Sequence, residues 1–385
     1  MGYMLYQPLN IYLGEDSMRR VCFYNFQKID DFHGYQIESF NVQSYFPKSR
    51  HGSLSELLSS GWNGYYDWNK LSTASGLDML YQKRDPAYMK FAADFVNKFH
   101  DFDIIIMSTF CPIHPEILYH ELKHPIKVLG FQDDPVSSYV RGIPYLWAFD
   151  AACYISPSYS QTELLSEKLT QWGCQKHFWR PLVSHQLEKV DPDEAFFQNR
   201  DIDLVYVGKA YSPKIGRLIR LKKKYGDRFQ IHGHWPLNGY YGFARALLNK
   251  PIFPYRVTPI SLNERTKLFH RAKIGFNMHL SEMPKETGNM RMYETTSHGM
   301  MMVCDKAGRD AHAQIFTPDK EAVFYDSIDD AIDKIDYYLA NDMERIRIAK
   351  AGFNRATTEY DWENSTLRLL DWAYSLKKLK EVDSQ

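Results

Sequence analysis

The chain has 385 residues, above the roughly 250 to 300 at which a single hydrophobic core stops growing, so two domains are the first expectation. Hydrophobic residues make up 44% and charged residues 24%, an ordinary globular mixture, and Lys plus Arg and Asp plus Glu both number 47, so no global basic field draws the protein to nucleic acid. The five cysteines, Cys22, Cys111, Cys153, Cys174 and Cys304, lie far apart with no C-x-x-C pair, which argues against a zinc cluster or disulfide framework and suggests a reducing, cytoplasmic setting.

Aromatic residues reach 15%, enough to furnish clefts without naming a ligand. The start, MGYMLYQPLNIYLGED, lacks the charged and then apolar pattern of a signal peptide, and no run approaches the roughly 18 to 20 apolar residues of a membrane span, so a soluble protein is expected. Met1-Gly2 opens like a myristoylation signal, but Tyr6 stands where Ser or Thr is needed.

Short apolar runs alternate with helical patterns along the chain, the rhythm of βα units and a parallel sheet. The first run is Arg20 to Phe26; a polar stretch from Ser49 to Gly76 follows, then a helix near Pro86 to His100 and a buried-strand pattern at Phe102 to Met107. His114 and Pro115 fall in the loop beyond it. Further strands are expected at Ile126 to Phe131, which runs into Gln132-Asp133-Asp134-Pro135, and at Ala151 to Ile155. Loops beyond the carboxyl ends of parallel strands line the ligand crevice, which makes His114, Asp133 and Asp134 site candidates.

Pro181 to Arg200 is polar and broken by prolines, and reads as the linker between domains. The boundaries expected are 1–185 for an N-terminal Rossmann-like domain, 200–362 for a C-terminal one, and 363–385 for a last helix that crosses back. In the second half, strands are expected at Asp203 to Val207, Phe229 to His232, Ile274 to Met278, Met300 to Cys304 and Ala322 to Tyr325. Helices are expected at Pro213 to Tyr225, Leu262 to Ala272, Met290 to His298, Ile328 to Ala340, Asp342 to Tyr360 and Trp362 to Lys380.

The sharpest constellation runs from Glu286 through Asn289, Arg291, Tyr293 and Glu294 to His298-Gly299, a loop entering a helix that ends at glycine ahead of an apolar strand. A helix N-terminus offers unpaired amides and a positive dipole end to a pyrophosphate, Arg291 adds a fork-shaped cation, and Glu294 offers acceptors to ribose hydroxyls. The competing reading is a core helix in which Met290, Tyr293 and His298 pack and Arg291 and Glu294 are solvated. For His298 alone, a capping or packing role is favoured.

The run NMRMYETTSHG, the apolar strand after it, the stretch FYDSIDDAIDKIDYYLANDMERIRIAKAGFNRA and the closing aromatic helix resemble the C-terminal half of CgeB-like glycosyltransferases, the spore-maturation-protein group, over roughly residues 202 to 375. The resemblance implies an α/β, GT-B-like fold of two Rossmann-like domains facing an interdomain cleft. It also implies an enzyme that moves a sugar from a nucleoside-diphosphate sugar, UDP-linked, to a hydroxyl acceptor, with no metal and no further cofactor. Asn289, Arg291 and Glu294, the N-x-R-x-x-E core, are implied at the donor nucleotide. Glu286 and Glu294 form a literal E-x7-E, which in retaining enzymes of this fold sets the first Glu beside the donor sugar; related phage DNA glucosyltransferases invert, and stereochemistry stays open.

A second element, Val207-Gly208-Lys209 with Lys214 and Arg217 following, joins a strand, a tight turn and a cationic helix start. Glycine allows close backbone approach to a phosphate, and Lys209, Lys214 or Arg217 would neutralise a leaving pyrophosphate, unless these cations belong to a solvated basic helix. Gly233 and His234 follow a strand and are placed by the resemblance near the nucleotide base, while Asn277 and His279 stand at another strand end. Asp133 and Asp134 either orient the acceptor or serve as a catalytic base, or else cap a helix before Pro135. Two other functions remain: glycosylation of a DNA base, and sugar-nucleotide binding without turnover.

Overall fold

A computed structural model describes residues 18–24, 34–40, 74–108, 112–131, 142–183, 192–208, 212–233, 257–279 and 287–383. Their strands form two sheets, both wholly parallel.

The first sheet contains β1 (Arg19–Tyr24), β2 (Tyr35–Phe40), β3 (Ile104–Ser108), β4 (Ile126–Phe131), β5 (Ala151–Tyr154) and β6 (His177–Trp179) in the order β2-β1-β3-β4-β5-β6. β3 and β4 are buried along their whole length, as strands covered on both faces must be. The two-residue period divides β3: Ile105 and Met107 join one core with helices α1 (Ala74–Gln82) and α2 (Pro86–Phe99), and Ile104 and Ile106 join the opposite one. Asp85 starts α2 by accepting from the Tyr88 amide at 3.0 Å, with Pro86 at the first helical position.

Several elements depart from the sequence reading. Pro115 opens a helix, α3 (Pro115–Glu121), because His114 caps it and a proline is well placed in a first turn. The helix α1 begins inside the stretch read as polar, and β2 and β6 carry patterns too short or too mixed to stand out. Helix α4 (Leu165–Gln171) connects β5 to β6, and α5 (Glu194–Gln198) lies within the stretch read as a linker, with Phe197 buried in the second core.

The second sheet contains β7 (Ile202–Val207), β8 (Phe229–His232), β9 (Ala272–Phe276), β10 (Met301–Asp305) and β11 (Val323–Tyr325) in the order β11-β10-β9-β7-β8. The chain passes from β7 to β8 on one side and returns to place β9 on the other, so the order reverses between β7 and β9. A crevice opens at the carboxyl ends of strands where an open sheet reverses. Helices α6 (Ser212–Tyr225), α7 (Leu262–Arg271), α8 (Met290–Ser297), α9 (Ile328–Ala340) and α10 (Asp342–Thr358) accompany it. The last helix, α11 (Trp362–Asp383), lays Leu369, Leu370, Ala373 and Leu376 on the first sheet, where Trp372 stacks on Phe178 at 5.1 Å and Tyr35 donates to Asp371 at 2.7 Å. Among the described residues no helix is long and apolar enough to cross a membrane.

Beneath the second sheet's edge, buried Arg200 donates to the carbonyls of Phe196 at 3.0 Å, Phe269 at 2.9 Å, Ala272 at 2.6 Å and His298 at 2.9 Å. The Phe196 carbonyl belongs to α5, and the other three lie at the end of α7, the start of β9 and the end of α8; the Phe269 carbonyl also accepts from the Ala272 amide. Gly299 permits the approach: its φ is 73°, and a Cβ there would lie 2.6 Å from Arg200 Nη2. Each buried acceptor left unsatisfied costs about 1–3 kcal/mol, so Arg200→Ala is expected to lower the unfolding free energy by about 3 kcal/mol or more in urea titrations. A loss below about 1 kcal/mol would show that water replaces the guanidinium without penalty.

Candidate functional site

The carboxyl edge of β7, β9 and β10 gathers polar side chains at the reversal point. α8 starts at Asn289, whose side chain makes no capping bond to its own helix and instead accepts from Asn277 Nδ2 at 3.1 Å. The first amides of α8 therefore receive nothing from the side chain at the N-cap, and the positive end of the helix dipole is directed to this edge.

Arg291, in the first turn of α8, reaches across to β7. Its Nη1 donates to Tyr206 Oη at 3.3 Å and to the Val207 carbonyl at 3.4 Å, and its guanidinium lies 5.2 Å from the Tyr206 ring centroid. Gly208 makes room for it: a Cβ there would overlap Nη1, lie 2.9 Å from Arg291 Cζ and 3.0 Å from Tyr206 Oη. Glycine is thus required at 208 by side-chain packing, a reason distinct from approach to a phosphate.

Beyond β9, the Asn277 amide side chain also donates to Cys304 Sγ at 3.2 Å, and Tyr325 Oη donates to the Asn277 carbonyl at 3.2 Å. The His279 amide donates to Asp305 at 3.0 Å, and its Nδ1 lies 2.7 Å from Asp305 Oδ1. Arg217 on α6 approaches the other oxygen of Asp305 at 3.4 Å, and Lys214, in the first turn of α6, is 2% exposed. Burial pushes the Asp305 carboxyl up, but His279, through its charge and its ring and backbone hydrogen bonds, together with Arg217, outweighs that and holds it below the ordinary carboxylate value. Among the described residues, three buried polar atoms here, Asn277 Oδ1, His279 Nε2 and Arg291 Nε, have no hydrogen-bond partner. Such atoms are rare in folded proteins and call for an explanation by strain, water or ligand.

His279, Cys304 and Asp305 are of metal-ligating types, with donor atoms within 4.8 Å of one another. Their closeness follows from their mutual hydrogen bonds, since Asp305 Oδ1 already lies 2.7 Å from His279 Nδ1 and 3.4 Å from Cys304 Sγ.

Glu294 points to a different partner. It is 6% exposed, and its Oε1 lies 3.0 Å from Arg265 Nη2 on α7. His298 closes α8 with Nδ1 2.7 Å from the Glu294 carbonyl. Gly233 ends β8 with its amide donating to Thr258 at 3.1 Å. In the first sheet, His114 lies beyond β3: its Nδ1 accepts from the Glu116 amide at 3.3 Å, its ring stacks on Tyr81 at 4.0 Å, and its Nε2 is 3.6 Å from Asp78. Burial holds the His114 imidazole below its ordinary pKa against the raising effect of Asp78.

The structure therefore brings Gly208, Arg217, Asn289 and Arg291 to one edge with Asn277 and His279, while Glu294 sits deeper and His114 belongs to the other sheet. Glu286, Asp133, Asp134, Lys209 and His234 lie outside the described residues. Sequence reasoning missed Tyr206, Arg265 and Asp305; only Asp305 carried a signal, as the acidic residue that ends an apolar strand.

Burial pushes the His298 imidazole down to about 4 from 6.5, against the Glu294 carbonyl, which raises it, and with His270, Arg265 and Arg200, which lower it further. A depressed pKa means that the folded state holds the neutral ring, so this contribution is complete above pH 6.5 and drains away as pH falls toward about 4. The loss reaches on the order of 3 kcal/mol. His298→Gln is expected to flatten the decline of unfolding free energy between pH 7 and pH 4.5, in part only, because burial also lowers His114, His177, His232 and His312. An unchanged slope in the variant would remove His298 from this account.

Residues 216–371 match the protein family described as glycosyl transferase-like. No curated protein matches the chain by sequence. Among solved structures, the chain is similar to TarM, at 13% identity and a TM-score of 0.52, over 74% of this chain and 57% of TarM; another TarM structure, from S. aureus, was solved with UDP among its ligands. The chain thus spans little more than half the length of TarM. HepE of Anabaena, solved with UDP and glucose, matches at 12% identity and a TM-score of 0.53 over 93% of this chain and 100% of that one. An alpha-glucosyltransferase solved with UDP-glucose and DNA matches at 10% identity and a TM-score of 0.50 over 73% and 83%. With its two parallel α/β sheets, the chain has the fold of GT-B glycosyltransferase structures, and residues 216–371 are the part that matches the glycosyl transferase-like model.

Proposed function

We propose that this protein is a glycosyltransferase that moves a sugar from UDP-sugar to a hydroxyl acceptor, of the CgeB-like kind that the N-x-R-x-x-E core at Asn289, Arg291 and Glu294 resembles. The observation that carries this reading is the meeting of Arg291, Asn277 and His279, each with an orphaned buried atom, at the start of α8 and the reversal point of the second sheet. Two structural relatives hold UDP with glucose or as UDP-glucose, which supports the choice of donor.

In this reading the diphosphate lies against the first turn of α8, where its charge meets the helix dipole and Arg291. As the bond between the sugar C1 and the diphosphate oxygen breaks, the electron pair leaves with UDP, and Arg291 with Lys209 or Lys214 balances the growing charge. These fixed cations take the place that a metal holds in other transferases, so we propose a metal-independent reaction. The acceptor oxygen forms the new bond to C1 and gives up its proton. We assign the acceptor to residues 1–185 and the donor to 200–362, with Glu286 beside the sugar, Gly233 and His234 near the base, and His114, Asp133 and Asp134 on the acceptor side. Holding both substrates in one cleft supplies much of the rate enhancement. The described cysteines are buried free thiols, which supports a cytoplasmic setting.

One relative was solved with DNA, yet the formal charge of zero on this chain favours a smaller or neutral hydroxyl acceptor.

A ligand that binds only the folded state raises the apparent stability, by about 2.7 kcal/mol at a hundredfold excess over Kd. UDP or a UDP-sugar is expected to raise the melting temperature of the wild type, and Arg291→Ala to lose most of that response. If no nucleotide in a panel of bases shifts the wild type, the donor site proposed here is wrong.

A further inference from the structure

Glu294 is a buried carboxylate one turn inside α8, with a side chain 8% exposed. A carboxylate so placed needs a cation or several donors, since burial alone favours the protonated acid, which accepts fewer hydrogen bonds. Arg265 supplies the cation at 3.0 Å.

The position of Arg265 is itself fixed by the carboxyl edge of the sheet. Thr258 pairs with His232 at the end of β8, so the chain enters α7 from that edge. Ser261 then caps α7: its Oγ accepts from the Glu264 amide at 3.3 Å, and Glu264 Oε2 accepts in return from the Ser261 amide at 2.9 Å. This capping box sets where the helix begins and therefore which face carries Arg265. The Arg265 guanidinium lies 6.0 Å from the Phe269 ring centroid, and its side chain is 24% exposed. The arginine is thus held from both ends, by a capped helix and by the carboxylate.

We propose that Arg265 is a positioning residue that holds the Glu294 carboxylate oriented to accept from the ribose hydroxyls of the bound nucleotide. The inference rests on the UDP-sugar reading above and adds to it the source of sugar-ring selectivity on the nucleotide side. Arg265 itself touches no substrate in this account. Its removal changes what Glu294 can discriminate more than how strongly the diphosphate binds, because the diphosphate is held at the other end of the site by α8 and Arg291.

Calorimetric binding of UDP and of its 2′,3′-dideoxy analogue to the full chain tests this. The wild type is expected to prefer UDP by about tenfold or more, the range for hydrogen bonds to a charged group. Arg265→Ala is expected to bring the preference close to unity while UDP still binds, and Arg265→Met, which keeps side-chain volume but not charge, to do the same should the alanine variant fold poorly. Arg265→Lys is expected to recover part of the preference. A folded alanine or methionine variant that retains the wild-type preference overturns the proposal. A wild type that binds both ligands equally overturns it too, while leaving the UDP reading standing; a wild type that binds neither removes that reading.

Discussion

The carboxylate of Asp305 is the interaction on which the candidate site depends. It ends β10, between β9 and the edge strand β11, and it holds the His279 backbone and ring at 3.0 and 2.7 Å while facing Arg217 at 3.4 Å. Three separate elements, the loop beyond β9, helix α6 and β10, are thereby tied at one point. The charge is retained at 4% exposure because its partners outweigh its burial. Removing such a group orphans several buried donors together, which is a larger penalty than the mean value of a hydrogen bond suggests. The edge of the sheet is in consequence a rigid surface and not a collection of independent loops.

A second buried charge braces the same elements at their opposite end. Arg200 satisfies carbonyls at the end of α7, the start of β9 and the end of α8, the elements that carry Arg265, Asn277 and Glu294. Groups meant to act on a ligand must be held to within a fraction of an ångström by their surroundings. Here the surroundings are two buried ions of opposite sign, each bonded to backbone, with Gly208 and Gly299 providing the space for arginine side chains to pass.

The fold was legible where local and global signals agree. The runs at Ile126–Phe131 and Phe229–His232 became strands with those limits, the first because a strand buried on both faces needs no alternation, the second because Phe229 and Ile231 alternate with Gln230 and His232 as an edge strand buried on one face should. The run at Met300 to Cys304 slid by a single residue, since Asp305 is polar by type yet lies in the ladder beside Tyr325. The helix at Pro115–Glu121 was hidden because seven residues are too few to show a period. Of the site, Arg291 was readable from a loop that enters a helix. The pairing of Glu294 with Arg265 was not, because it joins two helices through space and leaves no local pattern.

The two readings of α8 that the sequence left in competition both apply, on different faces. Met292, Tyr293 and Thr296 are at 0% exposure and pack into the core, with Tyr293 against Tyr360 at 5.1 Å. Asn289 and Arg291 project from the first turn to the carboxyl edge, and Glu294 turns to α7. Helical periodicity permits this division, since residues two apart point in nearly opposite directions. A purely structural helix accounts for the packing of Met292, the Tyr293 ring and Thr296. It does not explain why Arg291 Nε, Asn277 Oδ1 and His279 Nε2 should be left without partners in one small region, where packing alone favours residues that need none. An anionic ligand at the helix start gives the Arg291 guanidinium a further, charged partner and meets the positive end of the helix dipole, and the arrangement is then consistent from the helix start to the sheet order.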